Sequence, residues 1–349
     1  MPYLPLYINV LNAFNEQFYK GEDVTSIYFG GGTPSLLSVE FIEKLLFHIY
    51  NVFNIAYDAE ITLEANPKTI NKNKAECFKN AGVNRLSIGA QSLIDADLKM
   101  LGRIHNTYDA LMCVYEMCSI FNNVSIDLIY NRPAQNIKDW EKELNEALNL
   151  PVQHISLYEL IVENNTYIKH LIDKGFLCEP LASDEFLRKT FEITKNNNFE
   201  MYEVSNFAKC CKQHEPLYSR HNLSYWNYED YYGVGAGAHS RIHNSENRKC
   251  AIAQCYDVSQ WCNWAKNPIF EIEELSGEDI YIEKLLMGLR TKFGISINDL
   301  DNKALEKHNF NKKIQQLVES NYIISDKNRV ILTTEGLLRL NMILSFLIA

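Results

Sequence analysis

The apolar positions of the chain follow two alternating rhythms. Leu4, Ile8, Leu11, Phe14 and Phe18 recur at helical spacing, as do Ile42, Leu45, Leu46 and Ile49, which predicts helices over 4–18 and 38–53. Pro5 is compatible with the first turn of the former. Between them the short run Ile27-Tyr28-Phe29 reads as a buried strand over 25–29 that stops at Gly30-Gly31-Gly32-Thr33-Pro34. The alternation then repeats. Strands are expected at 60–65, 85–90, 124–129 and 154–160, with helices at 72–80, 108–121 and 140–148 between them. Regular strand–helix alternation implies parallel βαβ units.

Parity within these strands refines the architecture, because successive side chains point to opposite faces. One face carries Ile61, Leu63, Leu86, Ile88, Val124, Ile126, Leu128, Ile155 and Leu157. The other carries Thr62, Glu64, Ser87, Gly89, Gln91, Ser125, Asp127, His154, Ser156 and Tyr158. A flat doubly wound sheet buries both faces and reads as unbroken apolar runs. One apolar face and one small, polar face instead predict an α/β chain folded as a partial (β/α) barrel, with helices outside and a ligand inside. Past residue 160 a helix at 185–194 and a strand at 200–204 are expected, and 205–250, rich in aromatics, Gly, His and Asn, reads as loops. A helix at 280–290, a break at Gly294, paired short strands at 322–324 and 330–332 and a last helix from Thr334 suggest a winged-helix-like module. The expected division is a barrel core over 1–210, an aromatic and His-rich region over 211–275 and the winged module over 276–349.

Composition narrows the function. At 46% hydrophobic and 22% charged, the chain has the make-up of a soluble globular protein. A net charge of −10 lacks the basic footprint that nucleic acids and anionic membranes require. The N-terminus has neither the basic nor the apolar segment of a secretory leader, and the apolar tail 340–349 is too short to span a bilayer. Nine cysteines without a leader fit a reducing compartment, so a cytoplasmic location is expected.

Polar groups gather where barrels build their sites, at the C-terminal ends of successive strands. They are the loop Gly30–Pro34, Glu64 with Asn66, Gln91, Asp127 and, one turn downstream of a strand, Arg103. Glycine lets main-chain groups touch a ligand, although such a loop also suits a plain βα turn. A carboxylate such as Glu64 or Asp127 can hold an ammonium or a pair of ribose hydroxyls, and Arg103 can grip a carboxylate bidentately. Asp127 and Arg103 could equally pair with each other.

The motifs FGGGTP, EITLEANP, NRLSIGAQSL, LGRIH, VSIDLIYNRPAQ and HISLYEL resemble, in order and spacing, the radical S-adenosylmethionine (SAM) proteins of the oxygen-independent coproporphyrinogen oxidase group. The likeness continues through YEVSNFA, SRHNLSYW and GVGAGAHS to LLMGLRTKFGI and LTTEGLLRL, essentially the whole chain. Its His-Asn-x-x-Tyr-Trp motif at 221–226 marks the branch of HemW-type heme chaperones. The resemblance implies that Gly31, Gly32 and Thr33 line the methionine end of SAM, with Glu64, Gln91, Arg103 and Asp127 as further contacts. It implies heme at His221, a candidate iron ligand, with Tyr225 and Trp226 as aromatic surface, His239 and His214 being lesser candidates. The implied partner is a heme-accepting apo-protein such as a respiratory hemoprotein. The family's Cys-x3-Cys-x2-Cys motif for a [4Fe–4S] cluster is not present among the nine cysteines, and the sequence reads as starting after that motif and the first barrel strand. A coproporphyrinogen III oxidase and a cluster-less remnant stand as the alternatives.

Overall fold

The computed structural model describes residues 2–164, 166–180, 183–211, 215–326 and 328–349. Its contacts group into two units that cut across the three-part division expected from the sequence. One comprises 26–39 and 60–218, the other 1–25, 40–59 and 219–349.

The first unit is organised on a seven-stranded sheet. Its strands are β1 (Val24–Phe29), β2 (Ile55–Ala65), β3 (Arg85–Gln91), β4 (Asn123–Tyr130), β5 (His154–Glu159), β6 (Phe199–Glu203) and β7 (Asn206–Lys209), in the order β1-β2-β3-β4-β5-β7-β6. β2 to β5 are parallel neighbours joined by helices Lys72–Asn80, Thr107–Ile120 and Ile137–Leu148, as a partial (β/α) barrel requires. Each of these helices is started by an Asn whose side chain accepts a main-chain N–H of the first turn, namely Asn71, Asn106 and Asn136. The sheet closes differently from the expectation: β7 pairs antiparallel with β5 and forms a hairpin with β6. The turn is tight because Ser205 takes a left-handed φ of 90°. Short helices Asp95–Met100 and Tyr167–Asp173 carry too few periodic apolar positions to be read from sequence.

The apolar parity face, from Leu63 to Leu157, is fully buried, as are Phe78, Val114, Trp140, Leu144 and Phe186 on the helices of this unit. The opposite face is not one open cavity. Ser125, His154 and Tyr202 form a buried chain, with 2.7 Å from Ser125 Oγ to His154 Nδ1 and 2.8 Å from His154 Nε2 to the Tyr202 hydroxyl. Burial holds His154 well below its ordinary pKa, so it is a neutral core histidine. The C-terminal end of that face stays open, at Glu64, Gln91, Asp127 and Tyr158.

The second unit gathers aromatic side chains around helices Leu4–Gln17 and Val39–Val52. Phe14 meets Phe270 at 4.3 Å between ring centroids, and Tyr7 meets Phe41 at 5.9 Å and Trp261 at 5.0 Å. The stretch 205–250, expected as loops, instead contains helix Arg220–Trp226 and strand β8 (His239–His243), which pairs with β9 (Lys249–Ala253). β10 (Ile272–Glu274) completes this antiparallel sheet. The C-terminal part keeps its expected form. Helix Gly277–Gly288 is followed by β11 (Ile295–Ser296), β12 (Ile323–Ser325) and β13 (Arg329–Leu332), ordered β11-β13-β12, and by helices Thr334–Leu338 and Leu340–Ile348.

Candidate functional site

The strand ends of the first unit bring Gly30–Thr33, Glu64, Asn66, Gln91 and Asp127 onto one rim. Tyr28, two residues before the glycines, donates its hydroxyl to Glu64 Oε1 at 2.7 Å. A Cβ on Gly30 would lie 2.6 Å from the Tyr28 ring and 3.1 Å from Glu64 Oε1, so only glycine allows this pair to form beneath the loop. Gly31 has φ 107°, and neither Gly31 nor Gly32 has an atom within 4 Å of its would-be Cβ, so both face open space. Thr33 Oγ1 accepts from Asn66 Nδ2 at 3.2 Å, which ties the loop to the end of β2. Gly89 does the same on β3: a Cβ there would meet Gln91 Nε2 at 2.7 Å and Asn66 Oδ1 at 3.1 Å. The two amides thus converge over a bare backbone, and Gln91 reaches this position with a left-handed φ of 68°.

Electrostatics single out the two carboxylates and the arginine. Burial raises the Glu64 pKa, while the Tyr28 hydroxyl and the Gly31 N–H pull it back. Burial pushes Asp127 to about 6, partly offset by the hydroxyls of Ser156 and Ser87 and by Arg85. Ser87 Oγ stands 3.1 and 3.2 Å from the two Asp127 oxygens. Asp127 is deeply embedded yet still reached by solvent, as befits the floor of a cleft. Arg103 does not pair with Asp127. Among the described residues its side chain has no hydrogen-bond or ion-pair partner, its buried Nε lacks an acceptor, and burial lowers its pKa. A half-buried guanidinium without a counter-charge is costly, and it becomes intelligible if an anion from outside completes it.

The His221 motif lies in the second unit, on helix Arg220–Trp226. Ser219 caps the helix by accepting the Asn222 N–H, and Arg220 pairs with Asp58 at 2.7 Å. The His221 ring is half-buried and meets Tyr225 edge-on at 4.9 Å, and Tyr225 in turn lies 4.2 Å from Tyr231. Trp226, one residue on, turns to a different side, with Arg290 5.9 Å from its ring. Tyr225 and Trp226 therefore do not form one flat surface beside His221, because adjacent residues on a helix point about 100° apart. His239 is exposed at the start of β8, and His214 lies outside the described residues. The neighbouring glycines have a structural reason: a Cβ on Gly233 would fall 2.0 Å from the His239 carbonyl oxygen. Gln254 fastens that loop, accepting from Gly235 N and from Trp261 Nε1 and donating to the Gly233 carbonyl.

Residues 9–147 match the model of the Radical SAM superfamily. The heme chaperone HemW of Bacillus subtilis is 34% identical over 90% of this chain and 83% of its own length. The chain belongs to the HemW family of the radical SAM superfamily. Another relative is the mitochondrial radical S-adenosyl methionine domain-containing protein 1 of Bos taurus, 33% identical over 93% of this chain and 76% of that protein. Coproporphyrinogen III oxidase (HemN) from Escherichia coli shares the fold with a TM-score of 0.80, covering 99% of this chain and 82% of that one, at 18% identity.

Membership of the HemW family implies SAM and a [4Fe–4S] cluster, and the residues fit the first better than the second. The open Gly31 and Gly32 backbone, the embedded carboxylates and the unpartnered Arg103 suit a zwitterionic nucleoside. The cysteines do not suit a cluster. Among the described residues no three His, Cys, Asp or Glu side chains gather to hold a metal ion. Burial pushes the Cys113 and Cys118 thiols up to about 12 and 11, away from the thiolate form that iron requires. Two contributors escaped the sequence reading. Tyr28 could have been found by parity with Gly30 on β1, whereas Gln254 left no local signal.

Proposed function

We propose that the protein binds heme and passes it to an acceptor apo-protein, on a barrel that also binds SAM. The observation that carries this reading is the 34% identity to a heme chaperone across nine-tenths of the chain. A half-buried imidazole in the motif helix supports it. In this reading His221 ligates the heme iron, Tyr225 orients its ring from the edge, and Trp226 offers aromatic surface on the adjoining side. In the barrel, Arg103 holds the SAM carboxylate, and Gly31, Gly32 and Thr33 border the methionine end. Glu64, Gln91 and Asp127 accept or donate hydrogen bonds to the ammonium and ribose. Bound SAM would supply a sulfonium, and the charge of Glu64 and Asp127 would favour such a cationic ligand.

The sequence segments then divide by role, with nucleotide binding in 1–210, heme binding in 211–275 and a supporting winged module in 276–349. The acceptor is a hemoprotein taken up in its apo form. A reducing compartment such as the cytoplasm suits nine free cysteines. Among the described residues no helix is long and apolar enough to cross a membrane. Porphyrin decarboxylation gains no support from a likeness of fold at 18% identity.

The test is a hemin titration of the wild type, His221→Ala and His239→Ala. His221→Ala is expected to weaken binding and shift the Soret band with circular dichroism unchanged, and His239→Ala to do neither. An unaltered spectrum and affinity in His221→Ala would refute the assignment of the iron ligand.

A further inference from the structure

A cavity of about 750 Å³ opens within the second unit, bordered by Trp226 and Tyr228, by β9 and by the winged part of the chain. Its size is that of small-molecule sites. Aromatic faces from Trp226 and Tyr228 and aliphatic groups from Ile280 and Leu300 make up part of the wall. The charged groups are lopsided: Arg248, Lys249, Lys284 and Arg329 border the cavity, against one carboxylate residue, Asp299.

These four cations are not equivalent. Lys249 is buried and paired with Asp230 at 2.7 Å, and Arg248 is paired with Glu246 and Glu274. The side chains of Lys284 and Arg329 donate to main-chain carbonyls, of Asp299 and Phe293 respectively, each at 2.5 Å, and the Asp326 carboxylate, which accepts from Arg329 N at 2.7 Å, lies near the latter. Among the described residues neither forms an ion pair. In a chain of net charge −10, two side-chain cations bonded to carbonyls rather than to carboxylates leave this wall positive. A carbonyl satisfies one donor of each and leaves others free, so an incoming carboxylate gains charge-assisted hydrogen bonds at both.

The cavity also adjoins the motif helix. His221 and Trp226 stand on the same seven-residue helix, separated by about 7.5 Å of rise at 1.5 Å per residue. The two side chains point about 140° apart around the helix, so the cavity can take the acid-bearing edge of a large molecule whose centre lies on the His221 side. We propose that Lys284 and Arg329 receive the carboxylate edge of a tetrapyrrole that reaches into the cavity beside Trp226. This rests on the heme reading above and gives the winged part of the chain a direct role in holding the cargo.

The experiment compares hemin with hemin dimethyl ester, whose acids are blocked, on the wild type, Lys284→Ala, Arg329→Ala and the double variant. Lys312→Ala, a distant exposed site, controls for net charge. Affinity is read from quenching of tryptophan fluorescence, with Trp226→Phe identifying the reporter, and iron ligation from the Soret band. The wild type is expected to prefer hemin over the ester at least tenfold. Each single variant should lose about tenfold for hemin and little for the ester, with the Soret position kept. Equal binding of acid and ester by the wild type, or hemin affinity unchanged in the double variant, overturns the inference and leaves the heme reading intact. A wild type that takes up no hemin overturns both.

Discussion

Replacing Asp127 by Asn should stabilise the protein at neutral pH while impairing the barrel site. The carboxyl has a folded pKa of about 6 against an ordinary 3.8, with burial as the leading cause. A raised carboxylate pKa means that the folded state binds the proton more readily than the unfolded one. Stability from this group therefore falls as pH rises from about 4 to 6, and the penalty is fully present above 6. The interval corresponds to roughly 3 kcal/mol at 1.36 kcal/mol per unit. Solvent still reaches part of the side chain, and the Ser87 and Ser156 hydroxyls already compensate some charge. A net gain of about 1–2 kcal/mol for Asp127→Asn at pH 7.5 is the reasonable expectation. At pH 3.5 the gain should vanish, because wild-type Asp127 is then protonated and Asn is its near isostere. Urea unfolding followed by circular dichroism at the two pH values measures the difference between variant and wild type, in which all other titrations cancel. A variant that is no more stable than wild type at pH 7.5, or equally stabilised at both, refutes the account of Asp127 as an embedded charge kept for binding.

Arg103→Ala should reduce SAM affinity tenfold to a hundredfold by calorimetry, the loss of charged hydrogen bonds of about 1.5–3 kcal/mol. Its melting temperature should stay level or rise, because the guanidinium has no partner within the protein; a clear loss of stability would show a structural role. Glu143→Gln should destabilise by about 1.5–3 kcal/mol, since the buried Arg132 loses the carboxylate that Glu143 holds at 2.5 Å and keeps only Asp97 at 2.9 Å. The same carboxylate accepts from Ser92 Oγ at 2.7 Å and Leu93 N at 2.8 Å, so SAM binding at neighbouring Gln91 should weaken as well. Gly233→Ala should cost about 1–3 kcal/mol through the clash with the His239 carbonyl, read as a lowered urea midpoint.

Much of the barrel was legible in the chain itself. Apolar spacing such as Ile42-Leu45-Leu46-Ile49 and the period-two alternation from Ile61 to Leu157 are local signals. Each is set by backbone geometry that does not depend on distant residues. Most of the candidate nucleotide residues were legible for the same reason, because neighbouring parallel strands deliver their C-terminal ends to one rim. What the tertiary structure decided was the state of those residues. Whether Arg103 would pair with Asp127 or stand alone depends on packing between segments far apart in sequence, and it stands alone. Ser125 and His154 read as cavity lining but close with Tyr202 into core, since a hydroxyl from another strand satisfies the imidazole. Strand β8 within 205–250 was hidden by Gly, Asn and aromatic residues that suit turns, and it forms because β9 supplies its partner, with Gln254 fastening the loop before it. Lys284 and Arg329 are ordinary surface cations in the sequence, and only the folded chain sets them on one cavity wall.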